Sequence, residues 1–271
     1  MKKEIAIVYL AAGISSRFGG KIKQFAKIGP KRETLIEYSL NQAIKAGFNK
    51  IVFIVGNTTE KPFKDFFQDS YKGIPVSYAL QYYNEKKRDK PWGTTDAVAS
   101  IKKVIDCPFV VCNGDDIYGE NSFKILYNHL QNIEEEEATL GFKLIEVIPD
   151  KGKTNRGIFK VDKEEYIQGL KEEFNIEKSN LKERNLIEES LCSMNIFALH
   201  SKTLDRLSEG LDKFKEKNKD DRRAECLLPE EISNLIKKKK IKMKIYPASD
   251  KWLGITNPED EEKVREMLKK S

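Results

Sequence analysis

The feature that most restricts how this chain can fold is the apolar run Ile5–Leu10, which breaks off in Ala11-Ala12-Gly13. The run is too short for a buried helix and rich in β-branched residues, so it predicts a strand covered on both faces, as in the middle of a parallel sheet. After it come Ser15, Ser16, Arg17, a glycine pair at Gly19-Gly20, then Lys21 and Lys23. A loop this poor in side chains lets its backbone approach a ligand, and its N–H groups can cradle an anion. The guanidinium and ammonium groups add charge of the sign a polyphosphate requires. The competing reading is a tight strand-to-helix turn that carries surface bases. Two familiar phosphate loops are excluded. Gly13 is followed by Ile14, Ser15 and Ser16, which breaks G-x-G-x-x-G, and Gly20-Lys21 is followed by Ile22, which breaks the Walker pattern.

Downstream, strands and helices alternate. Glu33–Ala46 has helical apolar spacing and stops at Gly47; Lys50–Val55 is a second buried strand, and a polar helix runs through Phe63, Phe66 and Phe67. Ile74–Leu80 is a third strand. A polar, aromatic stretch, Gln81–Lys90, leads through Pro91-Trp92-Gly93-Thr94 into another helix, and Pro108–Asn113 is a fourth strand closed by Gly114-Asp115-Asp116. This alternation predicts an α/β fold, a Rossmann-like three-layer sandwich around a mostly parallel mixed sheet. Past Glu120 the rhythm loosens. A helix at Asn121–Ile133 is followed by a strand at Ala138–Val147, short strands around Gly157–Asp162, Tyr166–Leu170 and Ser190–Leu199, and helices at Thr203–Lys217 and Leu228–Ile236. A strand at Ile241–Tyr246 and a last helix opened by Asn257-Pro258 complete the chain. We expect one domain over 1–271, with 1–133 mainly binding nucleotide and an elaborated 134–271 mainly binding an acceptor.

Composition narrows the function classes. Charged residues make up 34% of the 271, with a net charge of only +6 and the bases interleaved with acids, which argues against a nucleic-acid binder. The run Lys237–Lys240 reads as a solvated helix end. The cysteines, Cys107, Cys112, Cys192 and Cys226, show no metal or redox spacing and read as small core residues. No apolar run reaches membrane-spanning length and nothing at the N-terminus looks like a signal peptide, so a cytoplasmic protein is expected.

In an open parallel sheet, ligands bind beyond the carboxyl ends of the strands. The first loop, Gln81 and Asp115-Asp116 all fall on that edge. Two carboxylates at the end of a buried strand suit a hard cation such as Mg²⁺ together with phosphate oxygens, although an Asp-rich turn capping the next helix is the plainer reading. Gln81 has an amide able to pair with a pyrimidine edge, and an ordinary exposed loop residue is the competing reading. Trp92 either covers a ligand or fills the core.

The run A-A-G-x-x-x-R-x-G with Lys-Gln-Phe after it resembles the signature of the sugar-phosphate nucleotidyltransferases, the nucleoside-diphosphate-sugar pyrophosphorylases among them. The resemblance implies that Leu10, Ala11, Ala12 and Gly13 wrap a triphosphate and that Arg17 and Lys23 contact the reacting phosphates, with Lys21 a further contact. It implies that Gln81 reads a pyrimidine base (UTP or CTP), that Gly93 and Thr94 lie against it, and that Asp115 binds Mg²⁺. On the acceptor side it points to Asp116, Gly157, Glu172 and Asn195, the last of which could instead satisfy a backbone group. Two departures stand out. The family's Lys after the sugar-binding Glu is Glu173 here, leaving Arg156, Lys171 or Lys178 for the acceptor phosphate. The family's W-x-D-x-G-T-P reads Trp252-Leu253-Gly254-Ile255-Thr256-Asn257-Pro258, with Gly254 in place of the second metal carboxylate. Asp250, two residues before Trp252, has two readings of equal standing: a ligand to the same ion, or a strand-end turn residue.

The expected reaction is in-line attack by a sugar 1-phosphate on the α-phosphorus of a nucleoside triphosphate, with loss of pyrophosphate and no general base. The rivals are a cytidylyltransferase for a non-sugar phosphorylated acceptor, a metal-dependent glycosyltransferase, and a non-catalytic nucleotide-binding regulator. The expected partners are small phosphorylated molecules, with neither nucleic acid nor membrane.

Overall fold

A computed structural model describes residues 3–13, 22–150, 152–255 and 260–269. The first half builds β1 (Ala6–Ala11), α1 (Leu35–Ala46), β2 (Lys50–Val55), α2 (Glu60–Phe67), β3 (Ser70–Tyr71), β4 (Ile74–Leu80), α3 (Thr94–Ala99), β5 (Phe109–Asn113), β6 (Asp116–Ile117) and α4 (Glu120–Asn132). The second half builds β7 (Glu137–Lys143), α5 (Leu144–Val147), β8 (Thr154–Val161), β9 (Ile167–Ile176), β10 (Leu191–Ser193) and β11 (Phe197–Leu199). It ends with α6 (Ser201–Lys217), α7 (Leu228–Lys237), β12 (Met243–Pro247), β13 (Leu253–Gly254) and α8 (Asp260–Lys269).

Among the described residues one sheet runs in the order β3-β4-β2-β1-β5-β11-β7-β10-β8-β9, with β12 also on β7. Its centre, β4-β2-β1-β5, is parallel, and β11 turns the direction by pairing antiparallel with both β5 and β7. The uninterrupted apolar run of β1 serves two cores at once. Ile5, Ile7, Tyr9 and Ala11 face α1, α2 and α4, while Ala6 and Val8 face α3, α6 and α7. Every one of these side chains is fully buried, as expected for a strand sandwiched between helical layers. Aromatic packing fills the first core, with Phe53 within 4.6 Å of Phe67 and 5.1 Å of Phe63, ring centre to ring centre.

Helix α1 starts two residues later than its apolar pattern suggests. Thr34 caps it by accepting from the Glu37 N–H, and the Glu37 carboxylate accepts from the Thr34 N–H at 2.9 Å. It stops at Gly47, whose φ of 120° suits glycine and whose missing side chain leaves room for the Tyr127 ring.

Three elements differ from expectation. The strand expected at Ala138–Val147 ends at Lys143 and becomes the single turn α5, which buries Leu144 and Val147. The strand expected over Ser190–Leu199 breaks at Asn195, which adopts a left-handed φ of 55°, so that β10 can pair with β7 and β8 and β11 with β5 and β7. The ribbon of β6 and β13 was too short to leave any periodicity, yet it brings the two ends of the chain's chemistry together. The four cysteines are buried and unpaired with one another. No helix among the described residues is long and apolar enough to cross a membrane.

Candidate active site

Strands β2 and β5 flank β1 on opposite sides, so the direction of winding reverses between β1 and β5 and opens a crevice at their carboxyl ends. The crevice floor is drawn tight. The Gly114 N–H donates to Leu10 O at 3.0 Å, and a Cβ at Gly114 would lie only 2.9 Å from that oxygen. On the other side the Thr59 hydroxyl donates to Ala11 O at 2.9 Å, and a Cβ on Gly56 would press on Ala12 O at 2.8 Å. Leu10–Ala12 is therefore a fixed backbone ledge, whereas no atom of the described residues lies within 4 Å of a Cβ built on Gly13.

Lys23 begins a 3-10 turn, Lys23–Phe25, and reaches across the crevice. Its Nζ lies 2.5 Å from Asp115 Oδ2 and donates to Ile255 O at 2.5 Å. One ammonium thus joins the first loop, the turn after β5 and the C-terminal strand. Arg17 and Lys21, expected beside it, lie outside the described residues, as does Pro258.

Asp116 is buried and paired in β6 opposite Gly254 of β13. Its Oδ2 accepts from Asn113 Nδ2 at 2.9 Å and from the Tyr118 hydroxyl at 3.2 Å. Burial, with the Asp115 charge second, pushes its carboxyl up to about 7, against the opposing influence of Asn113 and Lys23. Asp250 sits elsewhere. Its Oδ2 accepts from the Ser122 N–H at 2.7 Å and its Oδ1 from Asn121 Nδ2 at 3.1 Å, so it caps the first turn of α4 from across the chain. The cap also explains Gly119, where a Cβ would run into the Asp250 side chain.

At the end of β4, Gln81 is buried and donates through Nε2 to Gly93 O at 2.9 Å and to Asp96 Oδ2 at 3.1 Å. Gly93 has a φ of 96°, and a Cβ there would meet Cys226 O at 2.6 Å. Thr94 Oγ1 accepts from the Leu228 N–H at 2.8 Å. Gln81 and Gly93 are thus joined directly, with Thr94 next in the chain. What holds their loop went unforeseen. Arg88, only 6% exposed, donates to Lys90 O, Asp221 O and Ala224 O and stacks at 3.3 Å on the Trp92 ring. Its one signal in the sequence is an arginine followed closely by a tryptophan in an otherwise lysine-rich stretch. Trp92 is half-buried and is also approached edge-on by Phe214 at 6.3 Å and by Lys215 Nζ at 6.0 Å.

On the acceptor side, Gly157 of β8 pairs with Glu172 of β9, and a Cβ at Gly157 would lie 3.0 Å from Glu172 Oε1. Burial raises the Glu172 carboxyl, Glu230 raises it further, and Arg156 opposes both. Of the three candidate cations, Lys171 is tied to Glu173 at 2.5 Å and Lys178 to Asp150 at 2.7 Å, both on the surface. Arg156 instead turns inward. It donates to Val147 O and Asn155 O, its guanidinium lies 5.6 Å from the Trp252 ring centre, and its field reaches Asp116 and Glu172. Asn195 sits at the β10–β11 break, its N–H donating to Ser193 Oγ at 3.2 Å.

Comparison with known proteins bears on the family and the fold. The family model described as nucleotidyl transferase matches residues 19–270. Among solved structures, a UDP-glucose pyrophosphorylase complexed with UDP-glucose superposes with a TM-score of 0.71 at 16% identity, covering 99% of each chain. The inositol-1-phosphate CTP transferase from T. maritima gives 0.68 at 15% identity over 100% of this chain and 96% of that one. A UTP-bound UGPase from Acinetobacter baumannii gives 0.65 at 14% identity over 98% and 93%. No curated protein matches in sequence.

Proposed function

The chain belongs to the nucleotidyl transferase family, and from that premise we propose that it couples a nucleoside triphosphate, UTP or CTP, to a sugar 1-phosphate with release of pyrophosphate. The observation that carries this reading is the Lys23–Asp115 ion pair, which sets an ammonium and a carboxylate face to face at the crevice between β1 and β5. Residues 1–133 supply the nucleotide side and 134–271 the acceptor side. Lys23, with Arg17 by resemblance, neutralises charge on the triphosphate as two anions are brought together. The Leu10–Gly13 backbone lines the phosphates, and Gln81, held by Gly93, meets the base.

The donors available suit a hard cation. Among the described residues no cluster of three or more His, Cys, Asp or Glu side chains forms an all-protein cage, and Mg²⁺ typically takes one or two carboxylates and fills the rest of its shell with phosphate and water. Asp115 would hold it; once bound, the ion would offset charge between adjacent phosphates. Gly157, Glu172 and Asn195 line the acceptor pocket, and Arg156 faces the acceptor phosphate. The attacking phosphate is already anionic, so no side chain has to remove a proton.

A second reading keeps the chemistry and changes the acceptor. Position 173, where the family has its phosphate-binding lysine, is a glutamate tied to Lys171 and Arg184. This favours an acceptor whose phosphate is met from the β8 side, a phosphorylated alcohol included. The test is a panel of the four triphosphates against sugar 1-phosphates and phospho-alcohols, read by pyrophosphate release with Mg²⁺. No release with any pair sinks the proposal, and the productive pair chooses between acceptors.

A further inference from the structure

Gly254 takes the place of a family carboxylate, and the reason lies across the β6–β13 ribbon. Its backbone is not among those with positive φ, so glycine is needed there for room rather than for conformation. A Cβ at 254 would lie 2.3 and 2.5 Å from two Trp252 ring carbons and 2.9 Å from Asp116 Oδ1. The space that a side chain at 254 would enter is already filled by an indole and by a carboxylate oxygen from the opposite strand. The Asp116 carboxylate is held in that pose by Asn113 and Tyr118 on its other oxygen. Its neighbours in sequence and space belong to the phosphate crevice: Asp115 touches Lys23, and Lys23 also bonds the carbonyl of Ile255, next to Gly254. Asp250 has both oxygens occupied in capping α4.

We propose that Asp116 supplies the second carboxylate for the divalent cation that accompanies the nucleotide, standing in from β6 for the side chain that β13 lacks at Gly254. This rests on the nucleotidyltransferase reading of the crevice. Two carboxyl groups on adjacent residues, one with an oxygen in the space that a side chain at 254 would enter, are oxygen donors a divalent cation can use, and the phosphates would complete its shell. Gly254 is then the residue that makes room for a displaced ligand, and the departure from the family pattern is an exchange between paired strands.

Mn²⁺ binding followed by electron paramagnetic resonance tests this without turnover, using Mn²⁺ alone and Mn²⁺ with the α,β-methylene analogues of UTP and CTP. Asp115→Asn and Asp116→Asn should each raise the Mn²⁺ dissociation constant at least about tenfold, because ligand charge sets affinity. Asp250→Asn should leave it unchanged while lowering the melting temperature. Loss of binding in Asp115→Asn with wild-type affinity in Asp116→Asn overturns the inference and leaves the enzyme reading standing; wild-type affinity in both removes the cation site altogether. Should Asp116→Asn fail to fold, the wild-type protein still decides. Tb³⁺ held by Asp116 lies beside Trp252, so its sensitised emission must compete with Mg²⁺ and vanish in Trp252→Phe but not in Trp92→Phe. Emission that survives Trp252→Phe also overturns it.

Discussion

Arg88 offers the sharpest test of how the base-side loop is held. Its three donors satisfy Lys90 O at 3.1 Å, Asp221 O at 2.9 Å and Ala224 O at 2.6 Å, and its guanidinium carbon lies 3.3 Å from the Trp92 ring centre. Replacement by Met keeps the bulk and removes all three bonds. A hydrogen bond from a charged donor contributes about 1.5–3 kcal/mol when water is shut out, but Asp221 is exposed and Lys90 and Ala224 are only half-buried, so water can reach the carbonyls. About 1 kcal/mol for each bond, the middle of the range for a net hydrogen bond, and about 0.5–1 kcal/mol for the cation–π contact give a loss of about 3–4 kcal/mol. At about 2–4 °C per kcal/mol for a chain of this size, Arg88→Met should melt about 10 °C lower. Arg222 is the internal control. It bonds Asp89 Oδ1 at 2.8 Å and Lys86 O at 2.9 Å from a half-exposed position, and Arg222→Ala should cost less than about 1 kcal/mol. Urea melts followed by circular dichroism give both numbers. Because Gln81 hangs on Gly93, Arg88→Met should also raise KM for the triphosphate more than it lowers kcat. Equal stability of the two variants, or a wild-type KM in Arg88→Met, would refute the clamp.

Three further outcomes are expected. Lys23→Met should lower kcat by about 10²–10³, the loss typical of one charge-stabilising donor; a rate within threefold of wild type removes Lys23 from the mechanism. His129 is buried, its Nε2 donating to Glu136 O and its Nδ1 facing the Tyr246 hydroxyl, and desolvation lowers its pKa. The unfolded chain therefore binds the extra proton first, so this residue costs stability below about pH 6.5. The wild type should lose more stability than His129→Gln as pH falls from 7 to 5, and parallel urea midpoints across that range would contradict it. Burial pushes the Cys107 and Cys192 thiols up to about 12 and those of Cys112 and Cys226 upward as well. Ellman's reagent at pH 8 should label none of these four in the folded protein and all of them in denaturant, and fast native labelling would show an open core.

The residues that were legible beforehand are those whose role is written in local sequence. Ile5–Leu10 read as a doubly covered strand, and the small residues after it had to end at the carboxyl edge, so topology put the first loop and Asp115 on one edge, while Lys23 was placed there by resemblance. Gln81 and Gly93 lie close in sequence and meet as implied. The Asn195 break was invisible because a single left-handed residue leaves no periodic trace, and the apolar letters on both sides read as one strand. Arg88 was missed for a different reason. Its partners Asp221 and Ala224 are carbonyls more than a hundred residues away, and backbone oxygens carry no residue type that a pattern could register.

The acceptor side shows where residue-by-residue analogy stops. Matching by position finds Glu173 where a lysine is expected and Gly254 where an aspartate is expected, and so counts two losses. Both positions are in paired strands, and in each the cross-strand neighbour has a side chain of the missing charge: Arg156 lies opposite Glu173, and Asp116 opposite Gly254. A site lined by paired strands can keep its charge pattern while exchanging which strand bears the charged atom, because directly opposed Cα atoms are only about 5 Å apart. Reversal variants separate exchange from loss. Glu173→Lys with Arg156→Tyr returns the cation to β9, and if the phosphate site is conserved in space the double variant should recover acceptor KM relative to Arg156→Tyr alone. If Glu173→Lys gives no recovery, the acceptor phosphate is not held from this pair of strands at all.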